Sequence, residues 1–335
     1  MLNEPIAKVE SGEDLTQEEM AAAIDLVMQG QCEEEQIRSL LLALVAKGET
    51  VPEIAGAASA MRAHMTPLES TRQDLVDTCG TGGDGSGTFN ISTAAAIVAA
   101  GAGIAVAKHG NRKITSKTGS ADVLVELGVN IEAPVDVMQS ALNEVGICFC
   151  FAPLFHPAMR HVGPVRRSID VPTIFNLLGP LCNPARAPYQ VLGVGKPALR
   201  PRLAEALSLL DIKRAYVVCG SDGLDEITLA GNTDVTEVSP RVTSDTQWQP
   251  SMFGLAPTEL TGMDADNPAE SADRIKAILN GATGPGRDIV VINAAAAVSL
   301  AKPEWSLTEC TSAVQQSIDS GAANDVLRKF GEVTN

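Results

Sequence analysis

A glycine-rich segment between a short apolar run and an alanine-rich helix constrains the fold of this chain more than any other feature. Leu75-Val76-Asp77 predicts a strand, Gly80-Thr-Gly-Gly-Asp84 follows it, and Asn90-Ile-Ser-Thr93 begins a helix. Glycines reach positive φ and let a backbone approach a ligand closely. The free N–H groups at the start of a helix attract phosphate oxygens. The segment therefore predicts an α/β unit that binds a phosphorylated small molecule.

The chain changes character after its first 65 residues, which are helical in pattern throughout. Residues 3–65 predict three amphipathic helices, one of which begins with a capping box at Thr16 and Glu19. Strands and helices then alternate, which is typical of a mainly parallel sheet whose ligand loops gather at the C-terminal strand ends. We expect an α/β fold class: a small all-helical domain joined by hinges to a larger α/β domain with a mainly parallel central sheet.

The pattern also predicts where the two domains begin and end. The small domain is expected to comprise residues 1–66 and a returning helical segment at about 164–182, and the large domain residues 74–160 and 185–335. The polar stretch from Thr243 to Pro257 is expected to be irregular. Because three amphipathic helices form only a thin layer, they need a partner surface, either the rest of the chain or a second copy of it.

The composition narrows the possible partners. The net charge of −16 argues against non-specific binding to nucleic acid or anionic lipid, and an aromatic content of 3% offers few surfaces for base stacking. The seven cysteines are odd in number and fit no zinc spacing, so we expect buried free thiols and a reducing cytoplasmic location. The N-terminus lacks the features of a signal peptide, and no apolar run reaches membrane-spanning length. We therefore expect neither nucleic-acid nor membrane partners.

Two further segments carry charges that suit a phosphorylated ligand. Lys108-His-Gly-Asn-Arg112 follows a second predicted strand, where a lysine reaches an anionic oxygen as a point charge. Asp225-Glu226 follows a later strand in a glycine-containing loop, and paired carboxylates suit Mg²⁺ together with water and ligand phosphates. Adjacent acids in so acidic a chain can instead be surface charge, and a lone histidine such as His109 is more often structural than catalytic.

Taken together, these segments resemble one known family, the anthranilate phosphoribosyltransferases. The resemblance covers nearly the whole chain, from the N-terminal helices to Asn293-Ala-Ala-Ala-Ala297. The motifs that carry it, in order, are Gly80-Thr-Gly-Gly-Asp84, Asn90-Ile-Ser-Thr93, Lys108-His-Gly-Asn-Arg112, Gly119-Ser-Ala-Asp122, Phe155-His-Pro157, Phe175-Asn-Leu-Leu-Gly-Pro180, Asn183-Pro184 and Asp222-Gly-Leu-Asp-Glu226.

The resemblance implies a reaction and a set of site residues. The family transfers the 5-phosphoribosyl group of phosphoribosyl pyrophosphate to the amine of anthranilate in tryptophan biosynthesis, giving N-(5-phosphoribosyl)anthranilate and pyrophosphate. It implies Mg²⁺ held by Ser92, Asp225 and Glu226, catalytic roles for Lys108, Asn111 and Arg166, and anthranilate contacts at Gly80, Asn111 and Arg166. The implied donor contacts are Gly80, Gly83, Asp84, Thr88, Asn90, Ile91, Ser92, Thr93, Lys108, His109, Gly110, Asn111, Arg112, Lys113, Ile114, Thr115, Ser116 and Ser120.

The resemblance also implies a homodimer formed through the N-terminal helices. The sequence departs from the family pattern at one place: Asp170 and Pro172 occupy positions where the family often has Gly and Arg. This departure bears on the path of the backbone at the hinge and on the local geometry near Arg166. Two alternatives stay open at this point. One is a pyrimidine nucleoside phosphorylase, against which the metal-binding pair Asp225-Glu226 argues, and the other is a non-catalytic relative that binds nucleic acid.

Overall fold

A single seven-stranded sheet forms the centre of the molecule. The computed structural model describes residues 1–113 and 117–335. The strands lie in the order β3-β2-β1-β4-β5-β6-β7. Their bounds are β1 Val76–Gly80, β2 Val106–Gly110, β3 Ile147–Phe151, β4 Tyr189–Gly193, β5 Arg214–Gly220, β6 Thr233–Ser239 and β7 Val242–Trp248.

The first five strands are parallel, and the last two pair antiparallel at one edge. β1 lies at the centre between β2 and β4, and β5 follows β4 in parallel register, so the C-terminal ends of these strands meet at one edge of the sheet. β6 and β7 form an antiparallel hairpin beside β5. The prediction that the chain is irregular from Thr243 was wrong, because Val242–Trp248 is an edge strand. The polar residues of this strand face solvent.

Helices cover both faces of the sheet. The helices, including several of one turn, are α1 Asn3–Glu10, α2 Gln17–Met28, α3 Glu34–Lys47, α4 Val51–Ala63, α5 Ile91–Gly101, α6 Ser120–Glu126, α7 Val135–Ser140, α8 Ala152–Phe155, α9 Gly163–Arg167, α10 Phe175–Leu178, α11 Arg200–Ser208, α12 Pro268–Leu279, α13 Pro285–Ala301, α14 Leu307–Asp319 and α15 Ala322–Thr334. Single turns of 3₁₀ or π helix extend some of them, at Ala141–Val145, Pro157–His161, Gly179–Leu181, Pro197–Leu199 and Pro250–Phe253.

The N-terminal layer contains four helices rather than the three predicted. The capping box at Thr16 and Glu19 is present: Glu19 N–H donates to Thr16 Oγ1, and Thr16 N–H donates to Glu19. The fourth helix, α1, is short and sends little apolar surface inward, which is why its pattern is weak. The fold class, a small helical domain beside a larger α/β domain with a mainly parallel sheet, is confirmed. The predicted domain boundaries stay a prediction.

Two apolar cores lie on opposite faces of the sheet. Neighbouring residues of β4 separate into them: Val191 packs into the core formed with α5, α12, α13 and α14, and Leu192 into the core shared with α2, α3 and α4. β5 divides in the same way, with Val218 in the first core and Val217 in the second. This alternation follows from the two-residue period of a strand. One face of the sheet therefore shares its core with the helical layer, and α11 contacts both α4 and the strands of that face.

The state of the cysteines and the lengths of the helices can be compared with what the sequence predicted. All seven cysteines are free thiols, and six of them are buried. Within residues 1–113 and 117–335, no helix combines the length and apolar character required to cross a membrane.

Candidate functional site

A cavity of about 240 Å³ opens at the C-terminal edge of the sheet, beyond β1, β2 and β5. It brings together the three segments that the sequence singled out, although they lie far apart in the chain. The predicted residues that line it are Gly80, Gly83, Asp84, Thr88, Asn90, Ile91, Ser92, Lys108, His109, Gly110, Asn111, Arg112, Lys113, Ser120, Asp225 and Glu226. Ile114, Thr115 and Ser116, also predicted as donor contacts, lie outside the described residues.

The glycine-rich loop turns tightly at the end of β1. Gly82 and Gly83 have φ of 64° and 76°, a region that favours glycine. The turn presents the Gly82 N–H to Asp225, whose Oδ2 accepts it at 3.0 Å. At Gly193, the last residue of β4, an added Cβ would stand 1.7 Å from the Asp225 carbonyl oxygen. Glycines beyond β1 and at the end of β4 thus let the Asp225 loop approach the glycine-rich loop.

Helix α5 begins at the cavity wall. The side chain of Asn90 caps the helix by accepting the Thr93 N–H at 3.1 Å. Ser92 faces the cavity, whereas Thr93 is 1% exposed and does not line it. Thr93, a predicted contact, therefore does not reach the cavity and uses its N–H in the cap, while the Ser92 hydroxyl is available to a ligand or a metal.

Lys108 is a buried cation between the loops. Its ammonium group donates to the Thr78 carbonyl and, at 3.0 Å, to Ser92 Oγ. Burial lowers the pKa of Lys108, and the neighbouring carboxylates of Asp77, Glu226 and Asp225 oppose that shift. Nearby acids favour the charged form of a buried amine, whereas burial disfavours it. Lys108 therefore serves both as a wall of the cavity and as the countercharge of its acidic side.

Three carboxylates form that acidic side. Burial, followed by the charge of Asp84, raises the pKa of Asp225 to about 7. Burial and then Asp225 raise the pKa of Glu226, against the opposing effects of Lys108 and the Ser92 backbone. Asp84 Oδ2 is buried and makes no hydrogen bond within the described part of the chain. A divalent cation would relieve this mutual repulsion.

The donor set fits Mg²⁺. Ser92, Asp225 and Glu226 supply hard oxygen ligands, as this ion prefers, beside the unsatisfied oxygen of Asp84. No group of three or more His, Cys, Asp or Glu side chains in residues 1–113 and 117–335 is arranged to hold a metal by itself. The protein thus offers a partial shell, which suits an ion that keeps several waters and ligand phosphates.

His109 is bonded to His156, which belongs to the Phe155-His-Pro157 motif but was not predicted to contact it. Its Nδ1 donates to the Gly179 carbonyl at 2.9 Å, and its Nε2 lies 3.1 Å from His156 Nε2. Burial lowers the pKa of His109 to about 3 and that of His156 to about 4, so both rings are neutral. Because both nitrogens of His109 are already engaged, its imidazole is not free to take a proton from a substrate.

Arg166 stands apart from the cavity. It lies on α9, half-buried, with its guanidinium carbon 5.7 Å from the centre of the Phe175 ring. Burial lowers its pKa, and no carboxylate of the described residues lies within ion-pair distance of it. Arg112, in contrast, pairs with Asp122 at 3.2 Å and Glu132 at 3.1 Å. Arg166 therefore keeps an open guanidinium, whereas that of Arg112 is largely engaged within the protein.

Comparison with known proteins identifies the family. A chain from Rhodopirellula baltica described as anthranilate phosphoribosyltransferase is 50% identical over 330 residues, which cover 98% of this chain and 96% of the relative. This chain belongs to the anthranilate phosphoribosyltransferase family. An anthranilate phosphoribosyltransferase from Herpetosiphon aurantiacus is 49% identical over 336 residues, which cover 100% of this chain and 99% of the relative. The resemblance drawn from the motifs is confirmed.

Family models and solved structures agree with this membership. The model of the glycosyl transferase family helical bundle domain matches residues 3–65, and that of the a/b domain matches residues 72–324. The anthranilate phosphoribosyltransferase of Thermus thermophilus superimposes with a TM-score of 0.91 at 41% identity, covering 98% of each chain. The Saccharomyces cerevisiae enzyme, solved in complex with PRPP and Mg, gives 0.88 at 29% identity, covering 99% of this chain and 98% of its own.

The cavity also contains residues that the resemblance did not supply. Lys117 lines it beyond the Lys108 loop and pairs with Asp266. The position of Lys117, two residues before Gly119-Ser-Ala-Asp122, could have indicated a cation at the site. The pairing of His156 with His109 had no such local indication. Further wall residues that were not predicted as contacts are Cys79, Ser86, Gly87, Phe89 and Thr118 outside the motifs, and Thr81, Gly82 and Gly119 within them.

Proposed function

We propose that this protein transfers the 5-phosphoribosyl group from phosphoribosyl pyrophosphate to the amine of anthranilate, giving N-(5-phosphoribosyl)anthranilate and pyrophosphate. One observation carries the proposal: a single cavity unites the glycine-rich loop, the start of α5, Lys108 and the Asp225-Glu226 pair. A donor that bears a diphosphate needs amide donors, a fixed cation and a divalent ion at one place. Family membership supports the same reaction.

The donor would lie along the glycine-rich loop and the start of α5. The loop amides and the α5 terminus would bind phosphate oxygens, with Ser92 and Lys108 beside them. The predicted donor contacts at Asn111 to Lys113 and at Ser120 line the same cavity. Fixed dipoles aimed at the leaving diphosphate stabilise the charge that grows on it during the transfer.

Ser92, Asp225 and Glu226 would hold the magnesium ion, with Asp84 next to them. When bound, Mg²⁺ supplies charge neutralisation for the diphosphate and for the leaving oxygen. The carboxylates must be ionised to bind it, and the charge of Lys108 opposes the rise in the pKa of Glu226. We propose that activity requires this ion.

The acceptor would be positioned by its carboxylate. Arg166 carries an open guanidinium that can pair bidentately with a carboxylate, and Asn111 and Gly80 border the cavity. An aromatic amine is already nucleophilic and weakly basic, so orientation supplies much of the effect and no strong general base is required. The engaged nitrogens of His109 agree with this mechanism.

We propose that the protein works in the cytoplasm as a homodimer formed through its N-terminal helices. Leu42 on α3 supports this, because 41% of this apolar residue is exposed on the side of the helix away from the buried Leu40 and Leu44. Sedimentation tests the proposal: Leu42→Lys should shift a dimer toward monomers, and a wild-type protein that sediments as a monomer contradicts it. The domain ranges predicted above belong to the same proposal.

A fluorescence assay tests the reaction directly. Anthranilate emission should fall when phosphoribosyl pyrophosphate and Mg²⁺ are both present, and should stay constant when either is omitted. Thymidine with inorganic phosphate tests the phosphorylase alternative, and a gel shift with single-stranded DNA tests the nucleic-acid alternative. Persistent anthranilate emission under all conditions, or phosphorolysis of thymidine at a comparable rate, would contradict the proposal.

A further inference from the structure

Asn293 is a buried amide in the middle of an apolar helix. It lies in α13, 3% exposed, directly before the run Ala294 to Ala297. Asparagine is a poorer helix former than alanine, and burying an amide costs free energy unless it is hydrogen-bonded. The position therefore requires a compensating tertiary interaction, and the structure provides one.

The amide of Asn293 holds a single residue, Ile227, from both sides. Asn293 Oδ1 accepts the Ile227 N–H at 2.9 Å, and Asn293 Nδ2 donates to the Ile227 carbonyl at 3.0 Å. Nδ2 also donates to the Ile289 carbonyl one turn earlier in α13, at 2.9 Å. Because the Ile227 N–H can only donate, the orientation of the amide is fixed, and every strong group of the side chain is used.

Ile227 directly follows the Asp225-Glu226 pair. The peptide that Asn293 accepts from is the one that joins Glu226 to Ile227, so its plane is fixed relative to α13. Two hydrogen bonds to the same residue restrain the backbone on each side of it. The direction in which the Glu226 side chain leaves the backbone is therefore set by a helix, not by the loop that carries it.

The same helix packs against the element that carries the third predicted metal ligand. α13 lies against α5, which begins at Ile91 and holds Ser92 near its first turn. Behind the main cavity, Asn293, Ser92 and Glu226 border one small cavity together. α13 thus contacts both the helix that carries Ser92 and the loop that carries Asp225 and Glu226. Asn293 makes the polar contact with that loop.

We infer that Asn293 is a positioning residue that holds Asp225 and Glu226 in the arrangement that binds the divalent ion. The inference rests on the metal site of the proposed function. Partners behind the direct ligands of a metal typically change its affinity by roughly 10- to 100-fold when they are removed. We expect a loss of that size in Asn293→Ala, without a matching change in the affinity for anthranilate.

Calorimetric titration of Mn²⁺ into the full chain with phosphoribosyl pyrophosphate measures the affinity without turnover. The matched control is Ser299→Ala, because Ser299 is also a buried, hydrogen-bonded side chain of α13 and bonds to the Ala296 carbonyl and Tyr216 instead of the site. Wild type and Ser299→Ala should bind alike, and Asn293→Ala roughly 10- to 100-fold more weakly. Amide hydrogen exchange at Ile227 in the ligand-free protein should be faster in Asn293→Ala alone.

Each outcome decides between positioning and plain stability. Equal Mn²⁺ affinity in Asn293→Ala and wild type overturns the inference, as does an equal loss in Ser299→Ala. If Asn293→Ala does not fold, Asn293→Ser replaces it, since the hydroxyl is too short to bond both groups of Ile227. A wild-type protein that binds no Mn²⁺ with the donor removes the metal site itself, and that result is distinct from equal binding by all variants.

Discussion

The Asp225 carboxylate accepts a 3.0 Å hydrogen bond from the Gly82 backbone N–H, which joins two loops 143 residues apart in the chain. The strand order places the two loops together, because β1, β4 and β5 are parallel neighbours whose C-terminal ends meet. A shift in either loop would move the acidic side of the cavity relative to its amide side.

Gly193→Ala should destabilise the protein and weaken donor binding. The added Cβ would stand 1.7 Å from the Asp225 carbonyl oxygen, so the Asp225 loop must move. Overpacking of this kind costs about 1–3 kcal/mol, which urea denaturation would measure. Gly286→Ala is the control, because its Cβ would meet only the Ile278 side chain at 3.8 Å. Wild-type stability in Gly193→Ala would refute the close approach.

Asp225→Asn should lower turnover by about 10²–10³, the effect of losing one group that stabilises developing charge. It should also raise the Mg²⁺ concentration needed for half-maximal rate, since an amide is a weaker ligand than a carboxylate. Steady-state kinetics at a series of Mg²⁺ concentrations measures both effects. Asp273→Asn, at an exposed position of α12, removes the same charge away from the cavity and should leave both values unchanged. Wild-type-like kinetics at low Mg²⁺ in Asp225→Asn would remove Asp225 from the metal site.

The affinity for a divalent ion should depend on pH near neutrality. The pKa of Asp225 is raised to about 7, so the carboxyl is mostly protonated at pH 6 and must lose its proton to bind metal. We expect Mn²⁺ affinity to fall roughly fivefold from pH 7 to pH 6 in wild type, and to change less in Asp225→Asn. Calorimetry at pH 6, 7 and 8 provides the comparison, and identical pH profiles for the two proteins would contradict the assignment.

The raised pKa of Asp225 makes metal affinity increase with pH, but it makes the stability of the ligand-free protein decrease with pH. Because the folded state binds the proton more tightly than the unfolded chain, the contribution of Asp225 to the free energy of unfolding is present below its ordinary pKa of 3.8 and decreases as pH rises towards 7. Metal binding and proton binding therefore compete for this side chain.

Arg166→Ala should raise the Michaelis constant for anthranilate far more than that for phosphoribosyl pyrophosphate. Arg166 is half-buried over Phe175 and faces no protein carboxylate among the described residues, so its charge is available to a ligand. Loss of a charge-assisted pair costs about 1.5–3 kcal/mol, or roughly 10- to 150-fold. Arg167→Ala, an exposed neighbour on the same helix, is the control. Equal changes in both constants would exclude Arg166 from acceptor binding.

His156→Gln should make the protein less sensitive to acid. Burial lowers the pKa of His156 to about 4, below its ordinary value of 6.5. The unfolded chain therefore takes up a proton first, and the contribution to stability that is present above pH 6.5 is lost as pH falls towards 4. Glutamine can still donate to His109 but does not titrate. Between pH 6.5 and 4 the variant should lose on the order of 2–3 kcal/mol less stability than wild type in urea titrations. His161→Gln, outside the pair, should follow wild type.

Local signals in the sequence predicted most of what lies close to the glycine-rich loop. Gly82 and Gly83 indicated a turn of positive φ, and Asn90 indicated a capped helix, because each effect depends on residues a few positions apart. The segments around Lys108 and Asp225 were separately visible as strand ends. That they meet at one cavity follows from parallel strand order, which alternating strands and helices already favour.

Other features depend on contacts that no local pattern contains. His156 was visible in the Phe155-His-Pro157 motif, but its contact with His109, 47 residues away in the chain, could not be predicted from a local pattern. Strand β7 was missed because polar residues on a solvent-facing edge strand leave too little apolar alternation to recognise. Arg166 lies over the ring of Phe175, away from the other predicted residues. This position likewise depends on how the short helices α9 and α10 pack.

The two apolar cores have a consequence for how the molecule comes apart. Leu192 and Val217 on one face of the sheet belong to the same core as α2, α3 and α4, and α11 contacts both α4 and the strands. A fragment that began after residue 66 would expose the part of this core that the helical layer covers. We therefore expect the bundle and the sheet to unfold together, and a chain cut at the hinge to be prone to aggregation.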